Sequence, residues 1–290
     1  MEIITTTKII TMNKNQNEIK RIGWMHNDWI DINKIKVSVS DRGITLGDGI
    51  FETILILNGK PKLLKEHLDR WHASAELLNM NSPPNETSIR SLLNDGIRRA
   101  NLSNQNGSIR LNWSRGTSSI RGINIAEDCS NNVFWIEINP GEPSFTPISV
   151  IYSKLEKRNP FSKLSYCKTF CYGQSILARE EARLAGYDDA ILMNTNDKIC
   201  CGTTANLIVK VENQIITPPL SSGCLPGIMR QQGINKGIIQ EADIDLIPKS
   251  GEEWLLINSL GCQHIKQIDG QNLKIVSNPR KLWQTLLLEK

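Results

Sequence analysis

The sequence contains no apolar run of the length that crosses a membrane and no block of like charges. The first twenty residues, MEIITTTKIITMNKNQNEIK, do not combine a basic region, a sustained apolar segment and a small-residue cleavage site. The formal net charge of +4 is spread along the chain. These absences predict a cytoplasmic protein with no membrane partner and no extended nucleic-acid surface, and they leave small acidic ligands open.

The cysteines lack the paired CxxC spacing that zinc sites use, so no metal site is predicted. Their odd number favours free and mostly buried thiols. The seven are Cys129, Cys167, Cys171, Cys200, Cys201, Cys224 and Cys262. Adjacent side chains on a strand point to opposite faces, so Cys200 and Cys201 in DKICCGTTANL are not expected to share one pocket. We expect one of them in the core and the other in a site.

The length of 290 residues and the hydrophobic content of 39% allow a large buried core, and the length favours two domains. The stretch NPGEPSFTP places two prolines and a glycine between Asn139 and Phe145, which is typical of a linker. It predicts a smaller N-terminal domain over 1–139, a linker over 140–145 and a C-terminal domain over 146–290. No internal repeat or low-complexity tract is present.

Hydrophobic periodicity predicts helices and strands in both halves. In ETILILNGKPK an apolar run reaches the turn pair Asn58-Gly59, which predicts a hairpin. In the next segment, LLKEHLDRWHASAELLNM, apolar residues recur at helical spacing, and His67 and Arg70 share a neighbouring face. Taken alone, that face is typical of a solvated helix surface. Further along, ICCGTTANLIVKV and QIITPP predict a small antiparallel meander.

Two features stay ambiguous from their local sequence. Lys168 precedes the helix predicted in KTFCYGQSILAREEARLAG and has few charged neighbours. Desolvation there favours a neutral amine suited to imine chemistry, but a solvent-facing lysine at a helix start is the more ordinary interpretation. In LPGIMR, Gly227 stands where a helix begins, so the amides of Ile228 and Met229 are open to an anion, although most helix starts bind water.

Five blocks of the sequence occur in an order that is typical of one enzyme family: SDRGITLGDGIFETILILNGKPKLLKEHLDRWHAS, IRLNWSRGTSSIRG, YCKTFCYGQSILAREEARLAGYDDAILMN, GTTANLIVKVENQIITPPLSSGCLPGIMR and LLINSLGCQHIKQIDG. Through these blocks the chain resembles the class IV aminotransferases, which are the fold-type IV pyridoxal-phosphate (PLP) enzymes, from about Trp24 to Gly270. The resemblance implies a two-domain α/β (α+β) fold with PLP in the interdomain cleft. It also implies a homodimer whose active sites borrow a loop from the partner.

The resemblance implies roles for individual residues. Lys168 matches the lysine that forms the Schiff base with PLP and then shuttles protons. Arg70 matches the arginine that grips the cofactor phosphate, and the amides of Ile228 and Met229 match the helix start that binds the same group. Many relatives have a threonine where Met229 stands, so one hydroxyl contact is missing here. Ser259 matches a position that often gives a hydroxyl to the phosphate.

One position departs from the family pattern. Five residues before the asparagine of GTTANL the family normally has a glutamate, which pairs with the pyridine nitrogen of PLP and keeps it protonated. This chain has Cys201 there. A thiol is a weak hydrogen-bonding group and cannot strongly stabilise a pyridinium. We therefore expect Cys201 to face the cofactor and Cys200 to lie in the core.

The resemblance further favours the 4-amino-4-deoxychorismate lyase of this family, which makes 4-aminobenzoate and pyruvate for folate synthesis from a small-molecule substrate. The segments SRGTSSIRG and RNPFSKLSYCKTFCYGQSILARE are closer to that pattern, and aromatisation can offset a poorer electron sink. Arg121 resembles an arginine that some members use to hold the substrate carboxylate. The alternatives are a branched-chain or D-amino-acid aminotransferase, a non-catalytic metabolite-binding relative, and a thiol sensor, for which the strain of a vicinal disulfide is unfavourable.

Overall fold

The computed structural model describes residues 18–125 and 131–288. Cys129 lies outside these residues, whereas the six described cysteines are free and all but Cys171 are buried. Within the described residues no helix has both the length and the apolar character needed to cross a membrane. The chain is thus described from just before the first strand to the end of the last helix.

The described residues form mixed α/β structure. The strands are β1 Ile22–Met25, β2 Asp28–Asp31, β3 Gly49–Leu57, β4 Lys60–Pro61, β5 Gly107–Ser114, β6 Val133–Pro140, β7 Ile148–Arg158, β8 Asp189–Asn194, β9 Ile199–Gly202, β10 Asn206–Val211, β11 Gln214–Thr217, β12 Gln240–Glu241, β13 Glu253–Asn258, β14 Gly261–Ile268 and β15 Gln271–Asn272. The helices are α1 Arg42–Thr45, α2 Leu64–Leu77, α3 Glu86–Arg99, α4 Gly173–Leu184, α5 Ile228–Asn235 and α6 Pro279–Leu287.

The first six strands form an antiparallel sheet in the order β2-β1-β6-β5-β3-β4. β3 and β4 make the predicted hairpin, because φ angles of +49° at Asn58 and +71° at Gly59 allow a tight turn. Ile50, Ile54 and Ile56 lie on one face of β3, in the same core as the apolar stripe of α2. The members of that stripe are Leu64, Leu68, Trp71 and Ala75, with Leu78 packed against them.

The other nine strands form a mixed sheet in the order β12-β11-β10-β13-β14-β7-β8-β9, with β15 paired to β14. Because β9 pairs with β10 as well as with β8, this sheet closes into a ring. The antiparallel strands β9, β10 and β11 are the predicted meander. Along the sequence, the strands of the first sheet precede the predicted linker and those of the second sheet follow it. The last strand of the first sheet, β6, includes Pro140, which pairs with Gly107 and is the first residue of the predicted linker. The domain boundaries themselves stay a prediction.

The segment that carries Lys168 joins the two sheets. The helix predicted from this residue onward begins only at Gly173, so Lys168 lies in non-helical chain ahead of α4. The amide of Phe51 donates to the carbonyl of Lys168 at 2.8 Å, and the amide of Phe170 donates to the carbonyl of Gly49 at 2.9 Å. A Cβ atom on Gly49 would lie 2.3 Å from the Phe170 ring, so only glycine allows this close approach. The backbone of Lys168 is therefore fixed against β3.

Candidate active site

A cavity of about 730 Å³ lies between the two sheets and is lined by residues of both. The charged side chains of its described lining are all cationic: Arg70, Arg110, Arg158 and Lys168. No aspartate or glutamate belongs to that lining within the described part of the chain. A cavity with this charge composition favours an anionic ligand.

Lys168 lies in the cavity wall, where the resemblance to the family implies that it should. Its Nζ atom donates to the hydroxyl of Tyr172 at 2.9 Å and lies 4.3 Å from the ring centroid of Phe51. Tyr172 also lines the cavity, four residues after the lysine and directly before α4. The sequence reasoning missed this tyrosine, because the residues between it and Lys168 are not helical and helix spacing does not apply there.

Arg70 extends from α2 to the edge of the same cavity. It donates to both carboxylate oxygens of Glu52, at 2.8 and 2.6 Å, and to the carbonyl of Pro226 at 3.0 Å. A guanidinium has five N–H groups, so two remain for a ligand in the cavity. The bidentate pair with Glu52 fixes the plane of the guanidinium, which orients the two free groups.

Glu52 is a buried acid that the sequence reasoning did not single out. It lies on the core face of β3 between Ile50 and Ile54, whereas Phe51 and Thr53 line the cavity. Burial opposes its ionisation, but the charge of Arg70 and hydrogen bonds from His67 and Arg70 overcome that effect and lower the pKa of Glu52 to about 2. An acid at a core-facing position of an apolar strand requires a partner, and this was the signal available in the sequence.

We expect Glu52→Gln to lower the free energy of unfolding near neutral pH by roughly 3 kcal/mol, which corresponds to the difference between the ordinary pKa of 4.5 and about 2. Because the folded-state pKa is depressed, this contribution is complete above pH 4.5 and is lost as the pH falls towards about 2. Urea denaturation over that range should show the difference between wild type and variant shrinking as the solution becomes more acid.

Glu86→Gln is a matched control, because Glu86 is half-exposed and pairs with Arg90 one turn along α3. An exposed pair of this kind contributes about 0.5 kcal/mol or less. A difference between wild type and Glu52→Gln that stays constant from pH 4.5 to about 2 would contradict the assignment of the depressed pKa to Glu52.

His67 connects Glu52 to Ser259. The His67 side chain is buried rather than solvated, and its Nδ1 atom lies 2.7 Å from a carboxylate oxygen of Glu52. Burial lowers the pKa of His67, although the hydrogen bond to Glu52 opposes this. Neutral His67 donates from Nδ1 to the ionised carboxylate, which leaves Nε2 as an acceptor 3.2 Å from the Ser259 hydroxyl oxygen. Ser259 lines the cavity, as the resemblance implies.

The N-terminus of α5 opens onto the same region. Gly227 is its N-cap and no side chain caps the helix, whose first two residues, Ile228 and Met229, line the cavity. A Cβ atom on Gly227 would lie 1.8 Å from the side-chain oxygen of Asn206, so the close approach requires glycine. The amides at a helix start bind anions, and Arg70 is held beside them through Pro226.

Cys201 lines the cavity and Cys200 does not, although both are buried. Cys201 pairs with Leu192 of β8. The next pair joins Ile199 to Met193, so Cys200 is the extra residue of a β-bulge and the strict alternation of a strand does not hold. Interaction with the neighbouring Cys201 thiol, together with burial, raises the pKa of Cys200.

The resemblance implies that Arg121 holds the substrate carboxylate, but the structure places a different arginine in the cavity wall. Arg121 is exposed and is not among the lining residues. Arg110, which the sequence reasoning did not select, lines the cavity with its Cζ atom 3.5 Å from the ring centroid of Phe51. Burial lowers the pKa of Arg110, although Glu137 on the neighbouring strand opposes this. Its Nε donates to neutral Asn112 at 2.7 Å, and no ion pair within the described residues involves Arg110.

A family model described as amino-transferase class IV matches residues 49–268. Two similar proteins are a putative branched-chain-amino-acid aminotransferase of Methanocaldococcus jannaschii and a probable one of Rickettsia conorii. The first is 29% identical over 82% of this chain and 80% of its own length. The second is 28% identical over 89% and 91%.

Solved structures share the fold. A putative 4-amino-4-deoxychorismate lyase of Legionella pneumophila is 26% identical, covers 88% of this chain and 95% of its own, and has a TM-score of 0.78. The branched-chain amino acid aminotransferase of Escherichia coli has a TM-score of 0.79 at 22% identity, with 91% and 92% covered. A hypothetical aminotransferase of Mycobacterium tuberculosis in its PLP-bound form has a TM-score of 0.77 at 18% identity, with 92% and 99% covered.

The lining residues fit PLP, the cofactor of this family. Two unused N–H groups of Arg70 and the uncapped amides of α5 suit a phosphate dianion, and the amine of Lys168 suits an aldehyde. The volume lies within the range of about 300–1,000 Å³ that is usual for ligand pockets. The predicted fold class and cofactor are confirmed, and with residues 49–268 matched, this chain belongs to the class IV aminotransferase family of PLP-dependent enzymes.

Proposed function

We propose that this enzyme is a PLP-dependent lyase that converts 4-amino-4-deoxychorismate to 4-aminobenzoate and pyruvate, a step of folate synthesis. The observation that carries the proposal is the cavity lining, in which the described residues include four cations and a thiol at position 201 but no acid. Of the four cations, Arg110 is the one that no group of the cofactor is proposed to occupy, so it suits a carboxylate of this substrate.

The absence of an acid from the described lining also bears on the type of reaction. An aminotransferase alternates between two forms of the cofactor, and a carboxylate that keeps the pyridine nitrogen protonated helps the ring accept electrons. Cys201 supplies no such carboxylate. A lyase that forms an aromatic product has a second driving force, so it tolerates a weaker electron acceptor.

The residues of the cavity have separate tasks in this reaction. PLP, when bound, supplies the aldehyde that takes up the substrate amine and a ring that accepts electrons. Lys168 Nζ removes the proton from the ring carbon of the substrate, and Tyr172, 2.9 Å away, holds the amine in position. The bond from the ring to the ether oxygen breaks, and the three-carbon group leaves as the enol of pyruvate, which gains a proton. The bond and proton balance requires no oxidant or reductant.

Incubation of the purified holoenzyme with 4-amino-4-deoxychorismate tests the proposal. We expect 4-aminobenzoate and pyruvate to appear in equal amounts and with the cofactor absorbance preserved over many turnovers. Absence of 4-aminobenzoate from a preparation that retains PLP would overturn the lyase assignment.

Arg110 is the proposed partner of a substrate carboxylate. We expect Arg110→Ala to raise KM for 4-amino-4-deoxychorismate by about 10- to 100-fold with a smaller change in kcat, because a hydrogen bond to a charged group contributes about 1.5–3 kcal/mol. Initial rates over a range of substrate concentrations measure this effect. The variant's cofactor spectrum should match that of the wild type.

Arg121→Ala provides the contrast, since Arg121 is exposed in the structure. We expect its KM to stay within about twofold of the wild-type value, as for a surface substitution that removes no ligand contact. The opposite ranking of the two variants would assign the carboxylate to Arg121, as the family resemblance implies, and would contradict the role of Arg110.

A branched-chain aminotransferase is the second candidate, because relatives at 28–29% identity carry that name. Addition of leucine, isoleucine or valine to the holoenzyme would then convert the cofactor to its pyridoxamine form, which has a different absorbance maximum. We expect no more than slow conversion compared with lyase turnover. Fast conversion without 4-aminobenzoate formation would favour this candidate.

A further inference from the structure

The cavity wall around Cys201 holds an arginine that lacks an acidic partner. Arg158 ends β7, and β8 lies between this strand and β9, which carries Cys201. Both residues line the cavity. Among the described residues, no carboxylate lies within ion-pair distance of Arg158; its nitrogens donate to the carbonyl of Gly223 at 3.4 Å, to the side-chain oxygen of Gln174 at 3.2 Å and to the carbonyl of Ser165 at 3.3 Å. Its charge is therefore not neutralised.

The charge of Arg158 reaches the thiol of Cys201. The pKa of Cys201 lies below its ordinary value, chiefly because of the hydrogen bond from Cys200, and the nearby guanidinium adds to this against the effect of burial. The same positive charge acts on any other group that Cys201 contacts in the cavity. It disfavours a second cation beside Cys201, because a nearby positive charge lowers the proton affinity of a basic nitrogen.

We infer that Arg158 and Cys201 together keep the pyridine nitrogen of bound PLP unprotonated. The inference rests on the PLP dependence of the family and on the family position of residue 201, and it deepens the proposed lyase function. When PLP is bound, the neutral thiol of Cys201 would offer the ring nitrogen only a weak hydrogen-bond donor, and the charge of Arg158 would oppose a proton on that nitrogen. Arg158 is thus a positioning residue that sets the charge of the ring without contact with the reacting carbon.

A neutral ring nitrogen selects among reactions. An unprotonated ring would stabilise only weakly the negative charge that forms when Lys168 removes a proton. Reactions in which this electron pair directly expels a leaving group are therefore favoured. An elimination that makes an aromatic product meets this requirement. Net transfer of the amino group, which leaves the cofactor in its pyridoxamine form, does not meet this requirement. The Arg158 and Cys201 pair therefore discriminates against the aminotransferase reaction in this chain.

Nitrogen NMR of the full-length holoenzyme loaded with PLP labelled with ¹⁵N in its ring tests the inference directly. We expect a chemical shift typical of neutral pyridine that does not change between about pH 6 and 9. In Arg158→Gln the proton affinity of the ring nitrogen should rise by about 1–3 pKa units, and in Cys201→Glu the shift should move to the pyridinium value. Cys201→Ser, which keeps a neutral donor, should resemble the wild type.

Two further variants separate charge from structure. Arg158→Lys retains the charge and should keep the wild-type chemical shift. Lys157→Gln removes a positive charge one residue earlier, from an exposed ion pair with Asp197, and should also leave the chemical shift unchanged. A pyridinium signal in the wild-type protein near neutral pH would overturn the inference. An ion pair between Arg158 and a Cys201 thiolate would produce such a signal. A ring nitrogen that is no easier to protonate in Arg158→Gln than in the wild type would overturn the role of the arginine.

The NMR result and the lyase assay can fail independently. A neutral ring nitrogen without 4-aminobenzoate formation would leave the inference standing and remove the proposed substrate. Lyase turnover with a pyridinium signal would do the reverse. If Arg158→Gln does not fold, the wild-type shift and its pH dependence still decide the question.

Discussion

Lys168→Ala is expected to abolish the covalent bond to PLP and to reduce kcat/KM by about 10⁴-fold or more, because we propose that Lys168 both binds the aldehyde and moves the proton. The absorbance of the holoenzyme should shift to that of free PLP, and turnover should fall to the detection limit. Lys168 is the only lysine among the described residues that line the cavity, so no other amine of that lining can replace it.

Lys163→Ala is the control for this experiment, since Lys163 is an exposed lysine five residues earlier in the same region. It should leave the spectrum and the turnover unchanged. Persistence of the bound-cofactor spectrum in Lys168→Ala, or loss of it in Lys163→Ala, would contradict the assignment of the Schiff-base lysine.

Arg70→Ala has the second-largest expected effect. We propose that the two N–H groups that Arg70 leaves free are the main side-chain donors for the PLP phosphate, and each charge-assisted hydrogen bond contributes about 1.5–3 kcal/mol. We therefore expect the dissociation constant for PLP to rise by about 10²- to 10⁴-fold. Equilibrium dialysis of the apoenzyme against PLP measures it.

Removal of Arg70 also leaves Glu52 buried with His67 as its remaining charge-assisted partner, so the variant should be destabilised by about 3–5 kcal/mol. Arg70→Lys restores the charge without the planar fork and should recover part of the PLP affinity. Lys65→Ala, an exposed residue of the same helix, should change neither quantity. Equal PLP affinity in Arg70→Ala and wild type would rule out Arg70 as the phosphate ligand.

Features set by short stretches of sequence were predictable. The hairpin at Asn58-Gly59 follows from residues that tolerate positive φ, and α2 follows from apolar residues at helical spacing. The meander of β9, β10 and β11 follows from strand-like segments separated by turns. The cofactor could be predicted because five ordered blocks resemble one family. The same resemblance implies the role of Lys168, which stays a prediction, and neither follows from periodicity.

Features that depend on distant contacts were not predictable. Arg70 meets Glu52 at a separation of 18 residues and Pro226 at 156 residues, and only the packing of α2 between β3 and α5 brings these groups together. The bulge at Cys200 is set by pairing with β8, and no local signal places it. Arg110 and Arg121 lie in one resembling block, and only the folded chain shows which of them lines the cavity.

The central claim is that Lys168 binds the aldehyde of PLP, and reduction of the holoenzyme with borohydride followed by peptide mass spectrometry tests it most directly. We predict a pyridoxyl-phosphate adduct on the peptide that contains Lys168 and on no other lysine. An adduct on a different residue, or none in protein that retains PLP, would contradict the account.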